Sequence, residues 1–232
     1  MKPREGNLKW YNPLACIRPI YGGAVNAVGL TNPGIDQWCK EIAPKIDFRK
    51  YYLVGSILGE PEELKEMAIM LNDFNLRALE INASCPNDEG DILTNTKRVI
   101  ESCESAKVNS RHPIILKLSV VHDVKTIIKE VKGIVEALSI NSVPWDVIFP
   151  NRKSPLAKLG GGGVSGKIVQ SFTWRLVRQI TDITDIPVIG PSVWDFGDME
   201  RIRMMGAKAV SFGSVFLKYP WRPTLFVKKE KN

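Results

Sequence analysis

From residue 51 onward, short runs of β-branched and apolar residues alternate with longer stretches of helical period, a pattern that predicts parallel strands wound with helices. Six strand runs stand out: Tyr51 to Ile57, Arg77 to Ile81, Pro113 to Leu118, Ser139 to Val147, Ile186 to Ile189 and Ala207 to Phe212. Helical patterns fill the gaps at Pro61 to Asn72, Asn95 to Ala106, Val124 to Ala137, Lys167 to Thr181 and Phe196 to Met205. Pro61 suits the first position of a helix and Asp123 suits an N-cap. The first fifty residues break the pattern. The run Tyr21-Gly22-Gly23-Ala24-Val25-Asn26-Ala27-Val28-Gly29-Leu30-Thr31-Asn32-Pro33-Gly34 reads as a long ordered loop, of the kind that contacts a ligand or closes over one, or as a loosely packed arm. With no linker composition or short repeat to divide it, the chain reads as a single domain over residues 1–232, with residues 1–50 a loop-rich segment over the active site.

Composition narrows the class. The chain has 232 residues, 44% of them hydrophobic, enough for a substantial core. No run approaches the ~20 apolar residues of a membrane-spanning helix, and Met1 to Asn7 lack the apolar stretch of a signal peptide, so the expectation is a cytoplasmic protein without membrane contact. The four cysteines, Cys16, Cys39, Cys85 and Cys103, have no paired spacing, so neither a metal site nor a disulfide framework is expected. The net charge of +7 has its largest local contribution in the tail Lys228-Lys229-Glu230-Lys231-Asn232, read as a solvated end. No basic stripe is interleaved with aromatics, so nucleic acid is not the expected partner. A basic rim for a small anionic ligand is.

Candidate chemistry gathers at strand ends. Ile81-Asn82-Ala83-Ser84-Cys85-Pro86-Asn87 terminates a strand in two carboxamides, a hydroxyl and a thiol. It reads either as a catalytic loop or as an Asx turn with Cys85 a buried filler. Gly160-Gly161-Gly162-Gly163-Val164-Ser165-Gly166 precedes a helical pattern, either to let backbone N–H groups approach an anion or as a flexible surface loop. Val188-Ile189-Gly190-Pro191-Ser192 and Val210-Ser211-Phe212-Gly213-Ser214 each end a strand in glycine and a hydroxyl. Three such strand ends in the second half favour an α/β (β/α)8 barrel holding a phosphorylated ligand over an open dinucleotide-binding sheet.

In this order the motifs resemble the dihydroorotate dehydrogenase family, in particular its soluble class 1 with a cysteine base. Lys2-Pro3-Arg4-Glu5-Gly6-Asn7 is similar to the segment after the family's second strand, and Asn26 to Gly34 to its substrate loop. Ile81 to Asn87 is similar to its catalytic loop, Leu116-Lys117-Leu118 to its flavin-binding lysine strand, and Gly162 to Lys167 with the Gly190 and Gly213 loops to its later glycine loops. The resemblance covers nearly the whole chain. It implies FMN at the C-terminal strand ends and oxidation of dihydroorotate to orotate in pyrimidine biosynthesis, with Cys85 as proton-abstracting base. Asn26, Val28, Gly29, Leu30, Asn82, Asn87, Asn141 and Ser142 would contact substrate. Ser56, Asn82, Lys117, Gly163, Ser165, Gly166, Gly190, Ser192, Gly213 and Ser214 would contact FMN. Lys117, whose other reading is a side chain snorkelling from a strand end, would face the flavin edge where charge gathers on reduction. A related dihydropyrimidine-oxidising flavoenzyme and a non-catalytic ligand-binding barrel are the alternatives. The family also suggests a homodimer and, for some members, an electron-transfer partner subunit.

The chain departs from the family pattern in four places. It supplies six of eight strand-helix units, so the expectation is a longer form with two strands and a flavin-contacting lysine ahead of Lys2, in preference to a barrel completed by another chain or an incomplete, inactive fold. Pro191, Ser192 and Val193 stand where the family usually has further glycines. Val143-Pro144-Trp145-Asp146-Val147-Ile148-Phe149-Pro150 is bulkier than expected after Asn141-Ser142. Pro220-Trp221-Arg222-Pro223 takes the place of a closing helix.

Overall fold

The computed structural model describes residues 16–29, 31–84 and 92–231. In chain order its strands are β1 (Ile17–Ile20), β2 (Gly23–Asn26), β3 (Val54–Ile57), β4 (Ala78–Asn82), β5 (Ile114–Leu118), β6 (Ala137–Ile140), β7 (Val143–Pro144), β8 (Gly163–Gly166), β9 (Val188–Gly190) and β10 (Ala209–Val210). Its longer helices are α1 (Pro61–Leu71), α2 (Thr96–Asn109), α3 (Val124–Val131), α4 (Gln170–Thr181), α5 (Phe196–Met204) and α6 (Arg222–Lys231). Strands and helices alternate from β3 to β6 and again from β8 to β10, and the α/β class read from the sequence holds. Two compact units emerge, the first containing Gly29–Leu138 and the second Tyr11–Val28 together with Ser139–Asn232. The boundary falls inside β6.

In the first unit β3, β4 and β5 pair in parallel, with Ser56 opposite Glu80 and Asn82 opposite Lys117. The period-two pattern divides the two faces. Gly55, Ile57, Leu79, Ile81, Ile114, Leu116 and Leu118 are buried, whereas Ser56, Glu80, Asn82 and Lys117 on the other face are partly or fully exposed. Helices α1 and α2 pack together and bury Leu64, Met67, Leu71, Val99 and Cys103. Each fully buried large side chain contributes about 1.5–3 kcal/mol. The start of α1 is set by Pro61 at its first turn and by a reciprocal cap between Glu60 and Glu63. Asn95 accepts from the Arg98 N–H at 3.1 Å and Asp123 from the Thr126 N–H at 3.3 Å, so both helices begin where a capping side chain stands.

The second unit contains an antiparallel sheet in the order β1-β2-β8-β7 and the parallel pair β9 and β10. Its α4 packs on β9, and α5 on β10. Helix α6 meets α5 edge to face, Phe226 against Phe196 at a ring separation of 5.8 Å.

Several local expectations change. The glycine-rich run after Tyr21 begins as a hairpin and not a loop: Gly22 takes φ 75 at the turn, and β2 is paired on both sides. The pairing with β8 crosses more than a hundred residues, which no local pattern records. Likewise Gly163 to Gly166 form a strand and not a loop before a helix. The stretch Ser139 to Val147 splits, because the chain breaks after Ile140, pairs briefly as β7 and turns into a one-turn helix at Trp145–Ile148. Helix α3 stops at Val131, shortly before Gly133, which takes the left-handed φ 81. A closing helix is present: Pro223 occupies its second residue, where a missing N–H costs nothing, and α6 continues through the tail, whose Lys228, Lys229 and Glu230 are exposed.

Candidate active site

The exposed face of the first unit's sheet is polar because its strands alternate. Ser56, Glu80, Asn82 and Lys117 therefore stand side by side on three neighbouring strands. Lys117 Nζ lies 3.2 Å from Glu80 Oε1, and Ser56 Oγ donates to the same oxygen at 3.0 Å. Lys117 thus reaches along the polar face to a carboxylate instead of snorkelling away. Asn82 Oδ1 accepts from the Ser84 N–H at 3.3 Å and from Ser84 Oγ at 2.8 Å. The Asx turn is present, and it engages the oxygen of the Asn82 carboxamide within the chain. Gly29 is exposed with φ 73, and a Cβ built on it would meet no heavy atom within 4 Å. Cys85, Asn87 and Leu30 lie outside the described residues.

His122 supports the same strand ends. It is 9% exposed, and burial lowers its pKa from the usual 6.5 despite hydrogen bonding to the backbone. The ring is therefore neutral near pH 7. Glu80 and His122 were missed in the sequence. Glu80 could have been found as a lone carboxylate in an apolar strand at the same parity as Asn82, whereas nothing local marks His122.

In the second unit Asn26 ends β2 opposite Gly163 and its Nδ2 lies 3.4 Å from the Gly163 carbonyl oxygen. Ser165 Oγ reaches the Ala24 carbonyl at 3.5 Å. Gly166, at φ 115, leaves no room for a Cβ, which would stand 2.6 Å from the Gly22 oxygen. Gly166 thus serves close strand pairing. Val28 sits two residues past β2, and Asn141 and Ser142 follow β6; all three are half-buried. Gly190 packs β9 on α5, since its Cβ would approach an Ile202 side-chain carbon to 2.5 Å.

The loop after Gly190 keeps a glycine-like backbone without glycine. Ser192 has φ 63. It is held by Gln170 Nε2, which donates to its carbonyl at 2.9 Å, and by Thr173 Oγ1, 3.2 Å from its hydroxyl oxygen. Trp174 Nε1 donates to the Pro191 carbonyl at 3.0 Å. Behind the loop, buried Asp198 accepts from Gln170 Nε2 at 2.8 Å and from the Trp194 and Asp195 N–H groups. Lys167 Nζ and Arg222 Nη1 each lie 2.8 Å from Asp195. The hydrogen bond from Lys167 is the main reason the Asp195 carboxyl sits below the usual carboxylate range. Gln170, Thr173 and Asp198 were not foreseen, since they come from helices and only the folded loop reveals their task. Gly213 is exposed with no heavy atom within 4 Å of its would-be Cβ, and Ser214 precedes the short helix Val215–Lys218.

Among the described residues no helix is long and apolar enough to cross a membrane, and no group of His, Cys, Asp and Glu is placed to hold a metal ion.

Comparison with known proteins points one way. The catalytic subunit of dihydroorotate dehydrogenase B (NAD(+)) from Desulforudis audaxviator is 34% identical over 229 residues, 95% of this chain and 73% of that protein. Its counterpart from Maridesulfovibrio salexigens is 32% identical over 224 residues, 92% of this chain and 72% of that one. A putative dihydroorotate dehydrogenase A (fumarate) from Pediococcus pentosaceus is 30% identical over 231 residues, 92% of this chain and 73% of the relative. In fold, the chain resembles the crystal structure of a ligand-free dihydroorotate dehydrogenase from Eimeria tenella with a TM-score of 0.70, at 14% identity, covering 96% of this chain and 73% of that one. The family model for dihydroorotate dehydrogenase matches residues 1–222. With that match and relatives at this identity along most of their length, the chain belongs to the dihydroorotate dehydrogenase family of oxidoreductases.

Proposed function

We propose that this chain oxidises dihydroorotate to orotate with FMN, as the catalytic member of a system that passes electrons to an acceptor through a second subunit. The observation that carries the reading is the alignment of Ser56, Asn82 and Lys117 on the polar face of one parallel sheet. The donor set fits a flavin nucleotide. A cation beside a carboxamide suits the electron-rich edge of the ring, and Gly213 has the open space that lets a backbone approach a phosphate. FMN, when bound, supplies the acceptor for the hydride.

The residues of the chain perform the rest. Cys85, as thiolate, takes the proton from one ring carbon of the substrate while the hydride leaves the neighbouring carbon, so that the two together form the ring double bond. Asn26, Asn82, Asn87 and Asn141, with Ser142, hold the carboxylate and the alternating carbonyl and N–H edge of the pyrimidine, because carboxamides both donate and accept. Val28, Gly29 and Leu30 contact the substrate. Lys117 compensates negative charge on the ring, and Gly163, Ser165, Gly166, Gly190, Ser192, Gly213 and Ser214 line the ribityl and phosphate end. The names of the B-type relatives, each a catalytic subunit, support a partner subunit and NAD(+) as the final acceptor.

Purified protein mixed with FMN tests this directly. Retained yellow absorbance and turnover of dihydroorotate with an artificial dye acceptor are expected, with NAD(+) reduction only when the second subunit is present. Cys85→Ser should keep the flavin and lose most turnover. Preference for dihydrouracil would replace the substrate, and failure to take up FMN would overturn the proposal.

A further inference from the structure

We propose that Glu80 is a positioning residue for Lys117, fixing its ammonium on the polar strand face and compensating part of its charge before the flavin is reduced. The inference rests on the reading that Lys117 meets the flavin, and it adds a residue which that reading leaves without a role.

The geometry is specific. Glu80 lies two residues before Asn82 on β4, so both share one face, and Lys117 stands opposite Asn82 on β5. The Glu80 carboxylate reaches diagonally, its Oε1 accepting from Lys117 Nζ at 3.2 Å and from Ser56 Oγ at 3.0 Å. The Lys117 and Glu80 side chains are 26% and 16% exposed, so the pair is only partly screened by water. A lysine has four rotatable bonds and a mobile charge. Three strands therefore contribute one group each to remove that mobility: β5 the ammonium, β4 the carboxylate, and β3 the hydroxyl that orients it.

Two consequences follow. An ammonium whose counter-charge is built into the protein attracts an electron-rich ring less strongly than a bare one, so Glu80 lowers the tendency of the flavin to become reduced. Removing the carboxylate should therefore act in the opposite direction from removing the ammonium. A residue that merely supports the fold would push both variants the same way.

The test measures the flavin midpoint potential of FMN-loaded wild type, Glu80→Gln, Lys117→Gln and the double variant, with thermal melts to establish folding. Glu80→Gln should favour reduced flavin, shifting the ratio of reduced to oxidised forms at fixed potential on the order of ten-fold. Lys117→Gln should shift it the other way. In the Lys117→Gln background the further change to Gln at position 80 should have much less effect, because the carboxylate acts on the flavin through the ammonium it holds. A second readout uses the flavin-free protein: acylation of Lys117 by an N-hydroxysuccinimide ester, mapped by mass spectrometry, should quicken several-fold in Glu80→Gln. Equal labelling rates, or shifts of the same sign in Glu80→Gln and Lys117→Gln, overturn the proposal. Faster labelling in a protein that takes up no FMN would instead support the pairing and refute the flavin reading.

Discussion

His122 Nδ1 accepts a hydrogen bond from the Ser119 backbone N–H at 2.9 Å. This assigns the ring proton to Nε2, which lies 3.2 Å from the Ile92 carbonyl oxygen and donates to it. The imidazole therefore ties the end of β5 to the segment entering α2, and it does so only when neutral.

The pH dependence of stability follows. Burial lowers the folded-state pKa of His122 below 6.5, so the unfolded chain takes up the proton first as the solution is acidified. The contribution is complete above about pH 6.5 and is lost progressively as pH falls toward the folded-state value. Urea unfolding between pH 8 and 5 should show a declining midpoint below neutrality, and His122→Gln should flatten that decline. Asp123 does not interfere, since hydrogen bonding to Thr126 holds its carboxyl below the usual value and its titration lies at more acid pH.

Gly23 should tolerate no side chain. A Cβ there would stand 2.0 Å from the Ser165 carbonyl oxygen, a backbone atom in the paired strand. Gly23→Ala is expected to cost about 2 kcal/mol or more, against less than about 0.5 kcal/mol for Gly213→Ala, which enters open space. Denaturant midpoints of the two variants give the comparison, and FMN titration of the Gly213 variant tests the proposed role of Gly213 separately from the fold.

Gln170 is the main tie between α4 and the loop after β9. Gln170→Ala removes a donor from the Ser192 carbonyl and from buried Asp198, and should cost about 2 kcal/mol. Its FMN affinity should fall as the loop loosens. Ser192→Gly should stay within about 1 kcal/mol of wild type, because relief of the left-handed φ 63 offsets loss of the contact with Thr173. Ser192→Val, β-branched at the same φ, should be clearly destabilised in the same denaturation experiment.

The thiols should differ in reactivity. Burial raises the Cys103 pKa to about 12, and Cys39 is raised by burial and by Asp36 and Asp73. Native protein treated with a disulfide reagent at pH 8 should leave Cys103 unmodified until denaturant is added, as peptide mapping would reveal.

The legible parts of the site were those whose signal is local. Lys117 stood out as a charge inside an apolar strand, and Asn82 as a carboxamide at a strand end; the fold places both on one face of the sheet. The later glycines were legible as positions but not as tasks. Gly163, Gly166 and Gly190 are read as contacts to a phosphorylated ligand because glycine permits close approach, and the folded chain gives Gly166 and Gly190 a packing reason besides, against neighbouring strand backbone and Ile202. The backbone at Ser192 went unread for the converse reason: a serine gives no hint of a left-handed conformation imposed by Gln170 and Thr173.

The sequence by itself determined the alternation of strands and helices, the starts of α1, α2 and α3, and the chemistry-bearing groups. Periodicity and capping depend on residues within a few positions of one another. Only the tertiary structure decided that Glu80 would hold Lys117 from 37 positions away, or that Asn26 would meet Gly163 across 137. Such contacts are set by which strands become neighbours and in what register. That choice belongs to the packing of the whole sheet, and no short window of residues contains it.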